Sequence, residues 1–557
     1  MTPIASPLDS RDILAMIFDH LAPGLMDLKD SEELSILSKT YRKALASLAR
    51  TCRSVSHHAL DFLWQELDDI QPLLKVLPEY KCVESQFMLC GAILPEHWTR
   101  FQLYAVRVHT VVTHPPLTED IHPSVWTFLA AGCRGIPLMP HLHQLAAYGL
   151  SSSDTSPLAL LLSPALRELD ISFELEDKGE DRSRTPHIST SLLQTLPLLA
   201  PKLEHLDVGA DFNLGQRSLQ SFEHFTRLKY LSMPSDLALN EHMLQVLSSV
   251  PTLQNLSCRI DLSGIPAPAF GPHAFQQLTR LAVSGYSDHL VAFILACRFP
   301  NLVRIDLRIR QPPSAGQPRD VFTALCQRCN PTLLTSFEAN LTHGFASRPS
   351  TLMEYFEPLL ALPNITSFHV VFFLTDPSIR DDDLARFGAA WPRLASFRIE
   401  HHTRQYSNDN LARFSAAWPR LASFRVQHHT GQYSDVRACP TLSGILELAQ
   451  RCPGLTTFHI PELDPRGTIS ERGAVPPLGH GLRSISVDNV TPPLSFQVYM
   501  EVATVLDRAF PSLELEDWRP LEVRVHGKGW PDVLRLMKVM RVGRENGRVY
   551  ADLQRQG

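Results

Sequence analysis

A recurring alternation of apolar and polar residues runs through most of this chain and predicts a series of short β-strands. In the phrase RLASFRV (420–426), Phe424 and Val426 flank a polar residue, as in a strand with one buried face. The preceding segment LARFSAAW (411–418) spaces its apolar residues as a helix does. Pro419 ends that helix, because proline lacks an amide hydrogen. The pattern therefore predicts a helix, a proline and a strand in succession.

The same strand phrase occurs twelve times, and amphipathic segments that predict helices lie between the copies. Such segments include 241–250, 289–299 and 441–452. The first aliphatic residues of the phrases are spaced by 24 to 37 residues, and they are Leu166, Leu203, Leu228, Leu253, Leu278, Leu302, Leu334, Ile365, Leu394, Leu421, Leu455 and Leu482. We expect strands to begin near Glu168, His205, Asn255, Arg304, Ser396 and Ser423, in one parallel sheet.

One unit of the repeat is present in two nearly identical copies. Residues 384–407 and 411–434 match at 20 of 24 positions, with an offset of 27 residues. A compact interior packed to crystal-like density would not accept an extra element of this size. A solenoid accepts it, because each repeat contacts only its neighbours. The duplication therefore favours a linear repeat architecture.

The phrase P-x-L-x-x-L-x-[LIV] followed by a helix resembles the leucine-rich repeat from about Leu142 to Leu515. The resemblance implies an α/β solenoid with parallel strands and with helices on the convex side. The Asn or Cys expected after each strand is mostly absent, which favours the irregular, helix-rich variety. An array of helical hairpins or a leucine zipper is the alternative, and proline before the strand phrases argues against it. We expect repeats over 140–517 and a C-terminal cap over 518–557.

The first 80 residues follow a different pattern, and a connecting region with an N-terminal cap is expected over 81–139. The segment RDILAMIFDHL (11–21) carries a helical apolar stripe. A polar segment, 22–43, separates it from a second apolar stretch over 44–67.

The order of residues in these two stretches resembles the F-box. The first stretch has an acidic residue, two aliphatics, Ile-Phe and Leu, and the second has Leu, Cys-Arg and Leu-Trp. Ser10 stands where proline is usual in that family. An F-box followed by irregular repeats resembles a group of fungal, basidiomycete-type F-box proteins. The matching apolar positions are Ile13, Leu14, Ile17, Phe18, Leu48, Leu63 and Trp64.

The resemblance implies a substrate-recognition subunit of an SCF-type cullin-RING ubiquitin ligase. The apolar positions would dock a Skp-type adaptor and through it a cullin, while the repeats would bind a target protein. The composition agrees, because a few short helices cannot bury this many apolar side chains and exposed apolar surface marks interfaces. Two alternatives stay open: the helices cap the repeat array, or the protein is a binding scaffold that recruits no ligase.

Polar residues that flank the buried strand positions are expected on the concave face, where a target would bind. Early repeats place Glu168, Asp170, His205 and Asp207 there, and Asp306 follows in a central repeat. Charge complementarity would mainly steer association. The basic candidates for target binding are Arg259, Arg280, Arg304, Arg308, Arg398 and Arg425.

Composition excludes several classes of protein. The chain has 557 residues, 44% hydrophobic and 20% charged, with a net charge of -6, so neither disorder nor a nucleic-acid partner is indicated. Its start lacks the pattern of a signal peptide, and no apolar stretch is long enough for a membrane span. Ten cysteines without framework spacing are typical of a reducing compartment. We expect an intracellular protein of the cytoplasm or nucleus, without a membrane partner.

Candidate catalytic or metal-binding motifs are few. The pair CQRC (326–329) lacks the further ligands of a zinc site. The HHT motifs at 401–403 and 428–430 would lie about 5 Å apart on neighbouring strands. They arose by copying, and the only carboxylate beside them in the copied unit, Glu400, is Gln427 in the second copy. No P-loop, dinucleotide-binding, nucleophile-elbow or zincin motif is present. The sequence predicts a non-catalytic protein without a metal or cofactor.

Overall fold

The computed structural model divides the chain into two compact units, residues 1–253 and 254–557. The structure describes residues 16, 32–51, 53–113, 120–175, 184–212, 214–215, 217–265, 268, 270–271, 274–310, 317–342, 351–373, 381–401, 418–428, 441–463, 480–490, 495–515 and 529–556.

Short strands alternate with helices along both units. The strands are β1 Glu66–Leu67, β2 Tyr80–Val83, β3 Gln86–Leu89, β4 Thr110–Thr113, β5 Gln144–Leu150, β6 Glu168–Phe173, β7 His205–Ala210, β8 Tyr230–Ser232, β9 Ala238–Leu239, β10 Asn255–Ile260, β11 Arg280–Tyr286, β12 Arg304–Arg310, β13 Ser336–Leu341, β14 Ser367–Phe372, β15 Ser396–His401, β16 Ser423–His428, β17 Thr457–Leu463 and β18 Ser484–Val490. The helices are α1 Glu32–Leu48, α2 Arg53–Gln65, α3 Gln71–Leu74, α4 Pro95–Ala105, α5 Ser124–Cys133, α6 Thr155–Leu161, α7 Thr185–Leu199, α8 Glu241–Ser248, α9 Ser287–Ala296, α10 Pro318–Arg328, α11 Leu352–Phe356, α12 Asp381–Ala390, α13 Leu442–Arg451, α14 Phe496–Ala509 and α15 Trp530–Gln556.

Each unit contains a sheet in which successive repeat strands are parallel. In the first unit β1 pairs with β4, and β4 to β8 then pair in chain order. In the second unit β10 to β18 pair in chain order. The six predicted strand starts are confirmed. Each unit thus has the architecture of an α/β leucine-rich-repeat solenoid.

The repeat is closed by a backbone hydrogen bond that recurs just before the strands. The Thr335 amide donates to the Val303 carbonyl of the preceding repeat at 2.9 Å, and the Thr366 amide donates to the Thr335 carbonyl at 2.8 Å. The Glu514 amide donates to the Arg483 carbonyl at 2.8 Å in the same way. The terminal phrase after α14 therefore continues the pattern of the array.

One buried column of the second unit is a ladder of phenylalanine rings. Phe337, Phe368, Phe397, Phe424 and Phe458 occupy the same position of β13 to β17. Neighbouring ring centroids lie 5.5 to 5.7 Å apart, and the rings are stacked. Stacked rings at this distance add to the free energy of burial.

Helices cover the face of the sheet on which the apolar residues lie. Phe322 of α10 meets Phe337 edge-on at 5.5 Å, and Trp391, just after α12, lies 5.0 Å from Phe368. The first aliphatic residue of each of the twelve phrases is at most 2% exposed, which confirms the predicted core positions.

The N-terminal region contains a helix that was not predicted from the sequence. Helix α1 begins at Glu32, so much of the polar segment 22–43 is helical. Within this segment Leu34, Leu37 and Tyr41 recur at helical spacing, and its Leu and Lys residues favour helix formation.

Parallel pairing also begins before the expected start of the repeats at residue 140. Glu66 and Leu67 of β1 pair with Thr110 and Val111 of β4. Between them, β2 and β3 form an antiparallel hairpin whose turn residues Glu84 and Ser85 have φ of 50° and 72°. Among the described helices, none is long and apolar enough to span a membrane.

Candidate functional site

The face of the second sheet opposite the apolar core carries the polar residues of its strands, and we call it the polar face. It consists of the first, third and fifth positions of β10 to β18, which alternate with the buried positions. The third position, for example, aligns Asp306, Glu338, His369, Arg398 and Arg425 across five neighbouring strands. Parallel pairing without a register shift brings these side chains side by side.

The six predicted arginines all lie on the polar face, and four of them form two pairs of register neighbours. Arg280 and Arg304 are register neighbours, and Arg398 and Arg425 are register neighbours three strands further along. The remaining two, Arg259 and Arg308, share the fifth position on either side of β11.

We expected the six arginines to make the central repeats basic, but carboxylates lie among them, so the central part of the polar face carries mixed charge. An Arg304 guanidinium nitrogen lies 3.3 Å from a Glu338 carboxylate oxygen, and Arg308 lies 3.9 Å from Asp306. The side chains of Arg304 and Arg308 are more than half exposed, so each pair contributes little to stability.

A cluster of partly buried charged residues surrounds His369 on the polar face. The Nδ1 of His369 lies 3.2 Å from Glu338, and its Nε2 lies 3.3 Å from Glu400. Glu400 also pairs with Arg398 on the same strand. Only 7% of Glu400 is exposed, so these contacts act with little competition from water. We call Glu338, His369, Arg398 and Glu400 the His369 cluster.

The pKa values in this cluster follow from its pairing. Burial alone would raise the pKa of Glu400, but His369 and Arg398 outweigh burial and lower it to about 2. Burial alone would lower the pKa of His369, but Glu338 and Glu400 outweigh burial and raise it. Hydrogen bonding to His369 lowers the pKa of Glu338 against the effect of burial. The cluster is thus built from charged partners that hold one another ionised.

Sequence reasoning missed Glu338 and His369. Both residues occupy the third strand position of their phrases, PTLLTSFEA and LPNITSFHV, as Arg398 does in the duplicated unit. Carrying the strand register through every repeat would have found them.

The first unit carries the expected acidic residues on the equivalent face. Glu168 is in register with His205, and Asp170 is in register with Asp207. The Tyr148 hydroxyl donates to Asp170 at 2.5 Å. The predicted acidic character of the early repeats is therefore present on their strand face.

The predicted adaptor-docking residues divide into two sets. Ile13, Leu14, Ile17 and Phe18 lie outside the described residues. Leu48 and Leu63 are partly buried against a small core of Leu45, Val55 and Ala59, which joins α1 to α2. These helices thus have a core of their own that does not cover Leu48 and Leu63 completely.

Trp64 is also partly buried, and its partner lies outside the helical pair. Its ring is centred 4.8 Å from the ring of Tyr104 in α4. The side chain therefore contributes to packing between α2 and the region that follows it.

The motifs weighed for metal or redox chemistry carry little reactivity. Burial raises the pKa of Cys326 to about 12 and that of Cys329 to about 11, so both thiols stay protonated. His401 and His428 are register neighbours, while His402 and His429 lie outside the described residues. Across the part of the chain that the structure describes, no group of three or more His, Cys, Asp or Glu is placed to hold a metal ion.

Comparison with known proteins yields likenesses to solved structures. An internalin (inlF) from Listeria monocytogenes matches with a TM-score of 0.29 and 12% identity, over 64% of this chain and 78% of that chain. TLR13 in its complex with ssRNA13 matches with a TM-score of 0.33 and 12% identity, over 70% of this chain and 54% of that chain, about half of its length. No protein-family model matches the chain. No curated protein matches it either.

Proposed function

We propose that this protein is a non-catalytic, leucine-rich-repeat binding protein that serves as the substrate-recognition subunit of an SCF-type ubiquitin ligase. The N-terminal helices would dock a Skp-type adaptor, and the polar strand face would bind the target. The observation that carries the proposal is the helical pair α1 and α2, which stands apart from the repeat pattern and has its own small core.

The apolar residues of this pair support an interface. Leu48 and Leu63 match the F-box resemblance and pack around the core of Leu45, Val55 and Ala59 without being fully buried. Apolar side chains that a module leaves partly exposed stabilise a complex when a partner covers them. Such a partner would gain most from the central aliphatic and aromatic positions.

Capture by a purified Skp-type adaptor tests the proposal. We expect the intact protein to bind and Leu63→Ala to weaken binding about tenfold, because covering the exposed part of one aliphatic side chain contributes about 1.4 kcal/mol. Leu45→Ala is the matched control, since Leu45 is 1% exposed and its loss acts through the module's own folding. A folded Leu63→Ala protein with undiminished capture, or an intact protein that never binds, contradicts the proposal.

Trp64 needs a separate control because it packs on Tyr104. Trp64→Ala removes both a matching F-box position and this ring pair, whereas Tyr104→Ala removes the ring pair alone. We expect Trp64→Ala to reduce adaptor capture much more than Tyr104→Ala does. Equal effects would assign Trp64 to internal packing only.

The contact between Trp64 and Tyr104 is the observation that favours a second candidate function, a repeat scaffold without ligase recruitment. In a scaffold, α1 and α2 would cap the end of the array, as terminal repeats require. The scaffold would bind its target normally and would not capture the adaptor.

A further inference from the structure

The duplicated strands β15 and β16 provide an internal comparison of the same surface with and without a carboxylate. Within the strands, the copies differ at two positions: Ile399 corresponds to Val426, and Glu400 corresponds to Gln427. The first difference is in the buried column. The second is on the polar face, two residues beyond the paired arginines Arg398 and Arg425.

The exchange of Glu400 for Gln427 gives the two arginines different electrostatic surroundings. Arg398 is neutralised by Glu400 on its own strand. The corresponding residue beside Arg425 is the uncharged Gln427, and Arg425 forms no ion pair with any residue that the structure describes. Of the nearby carboxylates, Glu400 contacts His369 and Arg398, and Asp488 lies 3.4 Å from His459.

Arg425 is also partly withdrawn from water. Burial lowers the pKa of Arg425, the positive charge of Arg398 on the neighbouring strand lowers it further, and the carboxylates of Glu400 and Asp488 offset only part of these two effects. Adjacent strands are about 4.8 Å apart, so these two guanidinium groups are close neighbours. A half-buried cation beside a second cation is costly to leave unpaired, and an added anion relieves that cost.

The groups around Arg425 suit an oxyanion. Ser423 and Gln427 flank it on the same face, two positions away in each direction, and a hydroxyl and an amide both offer hydrogen-bond donors. His459 occupies the same register position on β17. A planar guanidinium with such donors matches the two oxygens of a carboxylate.

We propose that Arg425, flanked by Ser423 and Gln427, is an oxyanion site on the polar face that binds a carboxylate side chain in an acidic segment of the target protein. The proposal rests on the proposed target-binding role of this face. It identifies the chemistry of the segment that is recognised, and it places the contact at the second copy of the duplicated unit rather than at the first.

The two copies supply the test variants, because each copy already carries the residue of the other. Gln427→Glu places a carboxylate beside Arg425, as Glu400 stands beside Arg398, and it should block the site from within. Glu400→Gln frees Arg398 and should add a second anion-binding guanidinium. Arg425→Gln removes the anchor, and Arg298→Gln is the control, since Arg298 is an exposed arginine that follows helix α9 away from the strands.

Binding is measured on the full-length protein with a fluorescein-labelled peptide of alternating glutamate and serine, by fluorescence anisotropy at low salt. Arg425→Gln and Gln427→Glu should each weaken binding about tenfold or more, the effect of losing one charge-assisted hydrogen bond. Glu400→Gln should tighten binding, and Arg298→Gln should leave it unchanged. Thermal unfolding of each variant tests whether the fold is retained, and if one weakened variant fails to fold, the other still decides.

Three results would overturn the proposal. The first is no measurable binding of the peptide, the second is unchanged binding by folded Arg425→Gln or Gln427→Glu, and the third is binding only by a matched phosphoserine peptide. Capture of the Skp-type adaptor is measured in parallel and depends on the N-terminal helices. If the protein captures the adaptor but does not bind the peptide, the oxyanion site is wrong and the proposed receptor role is unaffected.

Discussion

Replacing the carboxylate of Glu400 with an amide should destabilise the second unit strongly at neutral pH and weakly in acid. The pKa of Glu400 falls from 4.5 to about 2 in the folded protein. Each pKa unit is worth about 1.36 kcal/mol, so ionised Glu400 stabilises the fold by about 3 kcal/mol. Because Glu400 is only 7% exposed, solvent screening removes little of this free energy.

The sign of the pH dependence follows from the direction of the pKa change. The folded-state pKa is lower than the unfolded-state value, so the contribution is fully present above pH 4.5 and is lost as the pH falls toward 2. At pH 3 about half of it remains, roughly 1.4 kcal/mol. The gap between wild type and Glu400→Gln should therefore narrow in acid, because protonation makes the wild-type carboxyl neutral as well.

Urea denaturation between pH 3 and pH 7, followed by tryptophan fluorescence, measures this gap. Trp391 belongs to the same repeat as Glu400 and is fully buried, so it reports on the region that is perturbed. The control is Glu447→Gln, which removes a surface carboxylate paired with Arg451 on helix α13 and should change the free energy of unfolding by less than about 0.5 kcal/mol. A Glu400→Gln protein within 1 kcal/mol of wild type at pH 7, or a gap independent of pH, refutes the reasoning.

Two further predictions concern the repeats themselves. Phe397→Ala should lower the free energy of unfolding by about 3 to 5 kcal/mol, because it removes a fully buried ring with two stacked neighbours, whereas Phe397→Leu should cost about 1 to 2 kcal/mol. Denaturant titration distinguishes the two variants, and equal small losses would count against the ladder as a stabilising element. Excision of residues 383–409 should leave a folded protein, because β14 can then pair with β16 in the same register. Circular dichroism and urea unfolding measure the fold of the product, and an insoluble or non-cooperatively unfolding product would contradict a linear array.

The strands were predictable because their signal is local. Each phrase carries its own alternation, and a helix-ending residue often precedes it, so Arg304 and Ser423 could be named as strand starts without knowledge of the neighbouring repeats. The buried column follows from the same alternation. The length of the helical segment between phrases does not change which strand positions are buried.

The His369 cluster was less accessible because it depends on contacts between repeats. Glu338, His369 and Glu400 are separated by 31 residues in each step, and only the strand register shows that they meet. The contact between Trp64 and Tyr104 is harder still to predict from the sequence, since neither residue lies in a repeat phrase. A pattern along one segment carries no information on which side chains of another segment reach it.

The duplicated unit shows why this architecture separates stability from recognition. Its buried positions are nearly unchanged between copies, with Phe397 stacked on Phe424 and both fully buried. The exchange of Glu400 for Gln427 alters the charge of the polar face without touching that ladder. Since each repeat packs only on its neighbours, a copied repeat extends the core with a surface already compatible with it. The outward positions are then free to differ, and a binding surface can change its charge while the fold retains its stability.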